Sequence, residues 1–230
     1  MPAPTPAAMA DPPPPARCTC DACRRCGWIL HHDGRLLVLD KPAGLLAVPG
    51  RGPHLQDCVA GRVQALLPAA RVVHRLDRDT SGLMLMALDA EAQRHLGRQF
   101  EARTVHKVYE CLVRGVPTAT TGVVDLPIAR DPTRPPRYRI DAAGRPSQTA
   151  WRVIEHRDAT ARLEVEPRTG RSHQIRLHLA TLGHPILGDP LYGDDRSVAA
   201  AERMLLHATR LAVAHPDDGR VVNWHSPCPF

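Results

Sequence analysis

The sequence predicts an α+β fold organised around a mixed, mainly antiparallel sheet with helices beside it. Apolar runs of strand length outnumber stretches with helical spacing, and the intervals between them are too irregular for a repeating βαβ pattern. No Pro/Gly/Ser linker long enough to separate a pair of domains interrupts the chain between Trp28 and Phe230. A length of 230 residues fits one domain of ordinary size with a tail and excludes elaborate multidomain machinery. Hydrophobic residues at 43% and charged residues at 23% make a globular mixture, sufficient to bury a core.

Residues 1–16 hold seven of the 23 prolines with little but alanine between them. No apolar period exists there to fold around, so 1–27 is expected to be a disordered Pro-rich and Cys-rich tail and 28–230 the folded domain. Arg35-Leu-Leu-Val-Leu-Asp-Lys-Pro42 is a short apolar run closed by a proline, and 83–88 is another that follows a glycine. Both read as buried strands. Val59, Val63 and Leu66 recur at helical spacing, as do Ala92, Leu96 and Phe100, for which Asp89 is placed as N-cap. Segments 105–115, 159–165 and 205–213 read as strands. Ile175, Leu179 and Leu182 recur at i, i+4 and i+7, with Gly183 where a helix would stop, which predicts a helix over 172–182.

Lys+Arg of 30 against Asp+Glu of 24 gives a formal charge of +6, and the cations are arginine apart from Lys41 and Lys107. An arginine-favouring genome would account for the Lys/Arg bias by itself, so the sign of the total carries the information, and it favours a polyanionic partner. No apolar run approaches the roughly 18 residues of a membrane helix, and the N-terminus lacks a basic-then-apolar secretory signature, so a cytoplasmic protein without a membrane partner is expected. Of seven cysteines, Cys18, Cys20, Cys23 and Cys26 crowd together while Cys58, Cys111 and Cys228 stand singly. In a reducing compartment this distribution argues for free thiols, with the crowded four as a candidate metal cluster. A tetrahedral site usually draws two pairs of thiolates from separated segments, which weighs for an unliganded tail.

Three constellations could carry chemistry. Val72-Val-His-Arg-Leu-Asp-Arg-Asp-Thr-Ser-Gly82 packs five charged or titratable groups between two apolar strands. A solvated loop with local Asp, Thr and Ser hydrogen bonds is the plain account. Asp77, Asp79, Ser81 and Gly82 imitate the opening of a calcium loop, but Leu88 stands at the twelfth position where a bidentate Glu is needed. An aspartate-nucleophile phosphatase would set its Asp-x-Asp pair directly after an apolar strand, whereas His74 and Arg75 intervene here. The second constellation, Pro167-Arg-Thr-Gly-Arg-Ser-His-Gln-Ile-Arg-Leu-His178, leads a turn into a helix bearing Arg171, His173, Gln174, Arg176 and His178. Arg171 near a helix start is unfavourable for the macrodipole, which calls for an anionic partner. The two histidines are not at i, i+4 spacing and no HExxH set is present, which excludes a zinc site of that type. The third is Lys107-Val-Tyr109, with one of only three tyrosines: core filler or a stacking platform.

Together, Val73-His-Arg-Leu-Asp-Arg-Asp-Thr-Ser-Gly-Leu83, Lys107-Val-Tyr-Glu-Cys-Leu-Val-Arg-Gly115 and Thr169-Gly-Arg-Ser-His-Gln-Ile-Arg-Leu-His178 resemble, in this order, the motifs of the RluA family of RNA pseudouridine synthases. Lys41-Pro-Ala-Gly-Leu-Leu-Ala-Val-Pro-Gly50, Val124-Asp-Leu-Pro-Ile128 and Leu182-Gly-His-Pro-Ile-Leu-Gly-Asp189 extend the match towards its short, dual-specificity members. The resemblance covers about 28–230 and implies the pseudouridine synthase fold with a catalytic cleft on one face and no S4 module.

It implies isomerisation of uridine to pseudouridine: the N1 glycosidic bond breaks, the uracil turns and C5 joins the same ribose carbon. No redox change or group donor enters, so no cofactor and no metal are implied. Asp77 matches the family's catalytic aspartate, acting as nucleophile on sugar or base or as a base on the sugar. Arg176 matches the arginine paired with it. Tyr109 matches the tyrosine stacked on the extruded uracil, whose phenol assists the final proton removal from C5. Arg75 matches the arginine that fills the gap in the RNA, and Ile175 the apolar wall of the pocket. Arg171, Lys107 and His74 are expected on the RNA-binding face, with arginines engaging phosphates.

The implied substrates are uridine 32 of the tRNA anticodon stem-loop and uridine 746 of 23S rRNA, and a monomer is the default expectation. The same chemistry on another rRNA or tRNA uridine is the alternative. An RNA-binding or RNA-folding protein is the competing class, but binding alone needs no carboxylate facing a phosphate-rich ligand.

Overall fold

The computed structural model describes residues 27–230. Apart from Gly27, the expected tail and the four crowded cysteines lie outside the described residues. The N-terminal half comprises β1 (Ile29–His32), β2 (Leu36–Lys41), β3 (Arg71–Val72) and β4 (Ser81–Ala87), with helices α1 (Val59–Gln64) and α2 (Ala90–Ala102). Every residue of β4 is buried, as expected for an unbroken apolar run. Helix α2 starts where Asp89 accepts hydrogen bonds from the amides of Glu91 and Ala92, and it ends on Arg103 in the left-handed region.

The C-terminal half begins with β5 (His106–Arg114) and β6 (Thr121–Asp125). It continues through β7 (Ile128–Arg130) and β8 (Tyr138–Ile140), a separate two-stranded ribbon, to β9 (Gln148–Arg157) and β10 (Thr160–Pro167). Helices α3 (Gln174–Thr181) and α4 (Asp195–Ala199) precede β11 (Leu206–Ala214) and β12 (Val221–His225). The expected strands at 35–42, 83–88, 105–115, 159–165 and 205–213 correspond to β2, β4, β5, β10 and β11, and the expected helices to α1, α2 and α3.

One sheet runs in the order β1-β2-β4-β11-β5-β10-β9-β6, with β12 beside β11 and β3 beside β4. Its pairings are antiparallel except one: β4 meets β11 in parallel, Ser81 opposite His207 and Gly82 opposite Ala208. Along that same edge, β11 then pairs with β12 from Arg210 to Ala214. Gly82 makes the parallel contact with φ near 104°, and a methyl there would strike the Ala208 carbonyl oxygen and stand 2.6 Å from its nitrogen.

Two apolar clusters fill the domain. One lies under β2, β4, α1 and α2, and the other joins β5 and β10 to Ile175 and Leu179 of α3. Tyr109 packs against both, which puts their boundary at the middle of the sheet. Helix α3 is not a one-faced surface helix: residues 174–179 are all buried, and Leu182, counted by spacing into its apolar stripe, is exposed beyond its end. Among the described residues, no helix is long and apolar enough to cross a membrane.

Candidate active site

The segment from Val73 to Thr80 leaves β3 and returns into β4, and polar contacts hold it at both ends. His74 Nε2 accepts the Leu85 amide at 2.9 Å while its ring stacks on Phe100, centroids 4.5 Å apart. Burial, with Lys107 adding to it, pulls the His74 imidazole down to about 3, so it stays neutral as an acceptor. Lys41, 1% exposed, donates to the carbonyls of Pro42, Leu45 and Arg78 at 2.7–2.8 Å, matching three donors to three acceptors. The Gly44 amide reaches the same Arg78 carbonyl at 2.9 Å. Asp77 sits inside this clamp, its own carbonyl taking the Thr80 amide.

Helix α3 supplies the opposite wall. Its buried polar groups are satisfied one by one. The Gln174 amide oxygen accepts from Thr169 Oγ1 and the Arg171 amide, and its nitrogen donates to the Gln148 carbonyl and Thr149 Oγ1. His178 is held between Thr149 Oγ1 and the Leu126 carbonyl. These bonds fix the helix against β9, so that Arg176, 2% exposed, is delivered to the cleft.

Arg176 lies between two carboxylates. Its Nε and Nη2 donate to Asp189 at 2.8 and 2.6 Å, a side-on bidentate pair, and its Nη1 donates to Asp77 at 3.4 Å. Burial works against the guanidinium charge but is outweighed by Asp189 and then Asp77, which hold its pKa above the ordinary arginine value. Asp189 is wholly buried and also accepts the amides of Leu191 and Tyr192. Tyr192 covers the guanidinium with its ring at 5.3 Å; its hydroxyl accepts the Tyr138 amide and shares a 2.8 Å hydrogen bond with His173 Nδ1.

Tyr109, on β5 opposite Val165 and Ala208, lines the same cleft, half-buried. Burial, then the charge of Asp77, pushes its phenol above the ordinary tyrosine value. Its hydroxyl makes no hydrogen bond among the described residues. The cleft is about 610 Å³, within the range that holds a small organic ligand and ample for a nucleoside.

Each residue that the resemblance places in the site lines this cleft: Asp77, Arg176 and Tyr109 within it, and His74, Arg75, Lys107, Arg171 and Ile175 around them. Arg75 is exposed and has no carboxylate partner among the described residues. Arg171 donates only to the Pro146 carbonyl through its side chain, and partial burial together with Arg103 and Arg145 pulls its pKa below the ordinary value. The anionic partner expected for Arg171 is therefore not a carboxylate of the described chain. His74 reaches the cleft but spends one ring nitrogen on Leu85.

Sequence reasoning gives no role to Asp189, Tyr192, His173 or Lys41. Asp189 does carry a signal: it is a lone carboxylate directly after the apolar run Pro185-Ile-Leu-Gly188, a placement unfavourable without a cationic partner.

Residues 35–181 match the family model described as RNA pseudouridylate synthase. The chain is 45% identical over 204 residues, 88% of its length and 93% of the relative's, to the dual-specificity RNA pseudouridine synthase RluA of Escherichia coli K12. The enzyme of the same name from Yersinia pestis is 41% identical, over 88% of this chain and 99% of the relative. Among solved structures, human RNA pseudouridylate synthase domain containing 1 superposes with a TM-score of 0.75 at 30% identity, covering 88% of this chain and 84% of that one.

Proposed function

This chain belongs to the RNA pseudouridylate synthase family and is an isomerase acting on RNA, and from that premise we propose that Asp77 carries out the chemistry on a uridine flipped into the cleft. The observation that supports this reading is the Asp77 carboxylate, in the cleft that Tyr109 also lines and at 3.4 Å from the buried Arg176 guanidinium. Asp77 acts on the sugar or base while the N1–C1′ bond breaks. The uracil turns on Tyr109, C5 bonds to C1′, the C5 proton departs and N1 regains one, so no atom is gained or lost.

Extrusion of a stacked nucleotide costs a few kcal/mol, and stacking on Tyr109 offsets about 1–3 kcal/mol of it. Ile175 walls the base, Arg75 at the rim takes the vacated place in the RNA, and Arg171 and Lys107 face phosphates. His74 supports the Asp77 loop as it borders the RNA. We extend the dual specificity named for the bacterial relatives to this chain: uridine 32 of a tRNA anticodon stem-loop and uridine 746 of 23S rRNA, both read as folded shapes. A monomer in the cytoplasm, where both RNAs are made, completes the reading.

Asp77→Asn is expected to abolish pseudouridine formation in a stem-loop RNA while retaining RNA binding within about twofold. Turnover at the wild-type rate would remove Asp77 from its role. Mapping pseudouridines in total RNA from a deletion strain, with and without the gene restored, identifies the target uridines. Loss at neither position overturns the assignment of substrates.

A further inference from the structure

We propose that Asp189 is a positioning residue that neutralises Arg176 and aims a single N–H of it at Asp77, leaving Asp77 oriented but with its negative charge uncancelled. This rests on the reading of Asp77 as the reacting carboxylate. The two carboxylates are not equivalent claimants on the guanidinium. Asp189 takes two short hydrogen bonds, at 2.8 and 2.6 Å, and Asp77 takes one at 3.4 Å. Asp189 is itself immobile, wholly buried and tied to the amides of Leu191 and Tyr192. The Tyr192 ring closes over the guanidinium, and the Tyr192 hydroxyl is fixed by Tyr138 and His173, so the arginine has no alternative pose to adopt.

The consequence is electrostatic. Were Arg176 alone with Asp77, it would form the bidentate pair there, tying up both carboxylate oxygens and lowering their reactivity. With Asp189 present, the Asp77–Arg176–Asp189 set carries a net charge of −1, and one Asp77 oxygen is left to face the nucleoside. The other groups whose charge or dipole reaches Asp77 are Lys41 from β2, Tyr109 from β5, and His173 and Tyr192 beside α3. Of these, Tyr192 touches Asp189 through its backbone amide.

A purely structural Asp189 would neutralise a buried cation and do no more. The test is single-turnover kinetics of the full chain on a uridine-containing stem-loop between about pH 3 and 8, with folding followed at each pH by circular dichroism. In Asp189→Asn, the positive charge is no longer shared, so the acid limb of the rate profile is expected to move down by about one pH unit or more. The plateau should fall about tenfold or more, with RNA affinity within about twofold of wild type. Asp189→Glu keeps the charge and is expected to hold the acid limb at its wild-type position while the plateau falls. A folded Asp189→Asn protein with an unmoved acid limb, or a loss residing entirely in RNA affinity, overturns the proposal. If Asp189→Asn does not fold, Asp189→Glu decides: a displaced limb with the charge retained, or a wild-type plateau, overturns it, and an unmoved limb with a fallen plateau at unchanged RNA affinity upholds it. An active Asp77→Asn protein would instead defeat the underlying reading, whichever way the Asp189 variants behave.

Discussion

Removing the Tyr109 hydroxyl separates the two roles proposed for this side chain. The hydroxyl has no hydrogen-bond partner among the described residues, so Tyr109→Phe loses no native bond and should change stability by less than about 0.5 kcal/mol. The face offered to the uracil is kept, and RNA affinity should stay within about twofold. The phenol is held above its ordinary pKa by burial and by Asp77, so it is protonated at neutral pH. In its proposed role it helps the C5 proton leave without itself ionising, and no rise in rate is expected from it between pH 7 and 9. Losing that help should slow release of the C5 proton by about 100-fold or more, the lower bound of general acid–base effects.

Tyr109→Ala removes the ring as well. Forfeiting about 1–3 kcal/mol of stacking predicts binding of the flipped nucleotide about 5- to 150-fold weaker. Truncating a half-buried aromatic that touches both apolar clusters should cost about 3 kcal/mol of stability. The assay is a stem-loop RNA carrying tritium at C5 of the target uridine, with tritium release and nucleoside composition followed in one turnover. Wild-type tritium release by Tyr109→Phe would refute the proton role, and unchanged affinity in Tyr109→Ala would refute stacking.

His74 makes the fold acid-sensitive. Its folded pKa, near 3, lies below the ordinary 6.5, so the unfolded chain binds a proton that the folded chain refuses as pH falls through 6.5. Between pH 6.5 and 5 this removes about 2 kcal/mol, a loss that His74→Gln, whose amide oxygen can take the Leu85 N–H, should escape. His173, His178 and His207 are also held neutral and act alike in both proteins, so the difference between urea-unfolding free energies at the two pH values isolates His74. Equal pH dependence in the two proteins would contradict this. Gly82→Ala combines backbone strain at φ near 104° with a collision at Ala208, and should cost about 2–6 kcal/mol. A loss below about 1 kcal/mol in urea unfolding would refute the tight parallel contact between β4 and β11.

The elements legible in the sequence are those whose burial shows as a period or a run. Leu83-Met-Leu-Met-Ala87 lies in an interior strand, and Ala92, Leu96 and Phe100 face inward behind the Asp89 cap. Strand β9 escapes that reading because Gln148-Thr-Ala-Trp-Arg-Val-Ile-Glu-His-Arg157 buries little and its last four residues are exposed, so pairing with β10 and β6, not hydrophobic patterning, holds it extended. Strands β1 and β12 are short, and β3 has two residues. In the site, the side chains of Asp77 and Arg176 belong to separate motifs, and nothing local in either one says that they touch. His74 reads as a group turned to RNA, but an imidazole beside a strand that needs an acceptor for the Leu85 amide is an internal partner first. The partner that Asp189 calls for stays hidden because it is thirteen residues away on a helix whose orientation only the fold supplies.

The hydrogen bond between Asp77 and Arg176 spans 99 positions of the chain. During synthesis the first of these residues emerges long before the second, and Asp189 and β11, which wedges between β4 and β5, come later still. A nascent or truncated chain ending before β11 has Asp77, Arg176 and Asp189 without the strand that joins β4 to β5. Competence to modify RNA is therefore expected only once β11 has taken its place in the sheet.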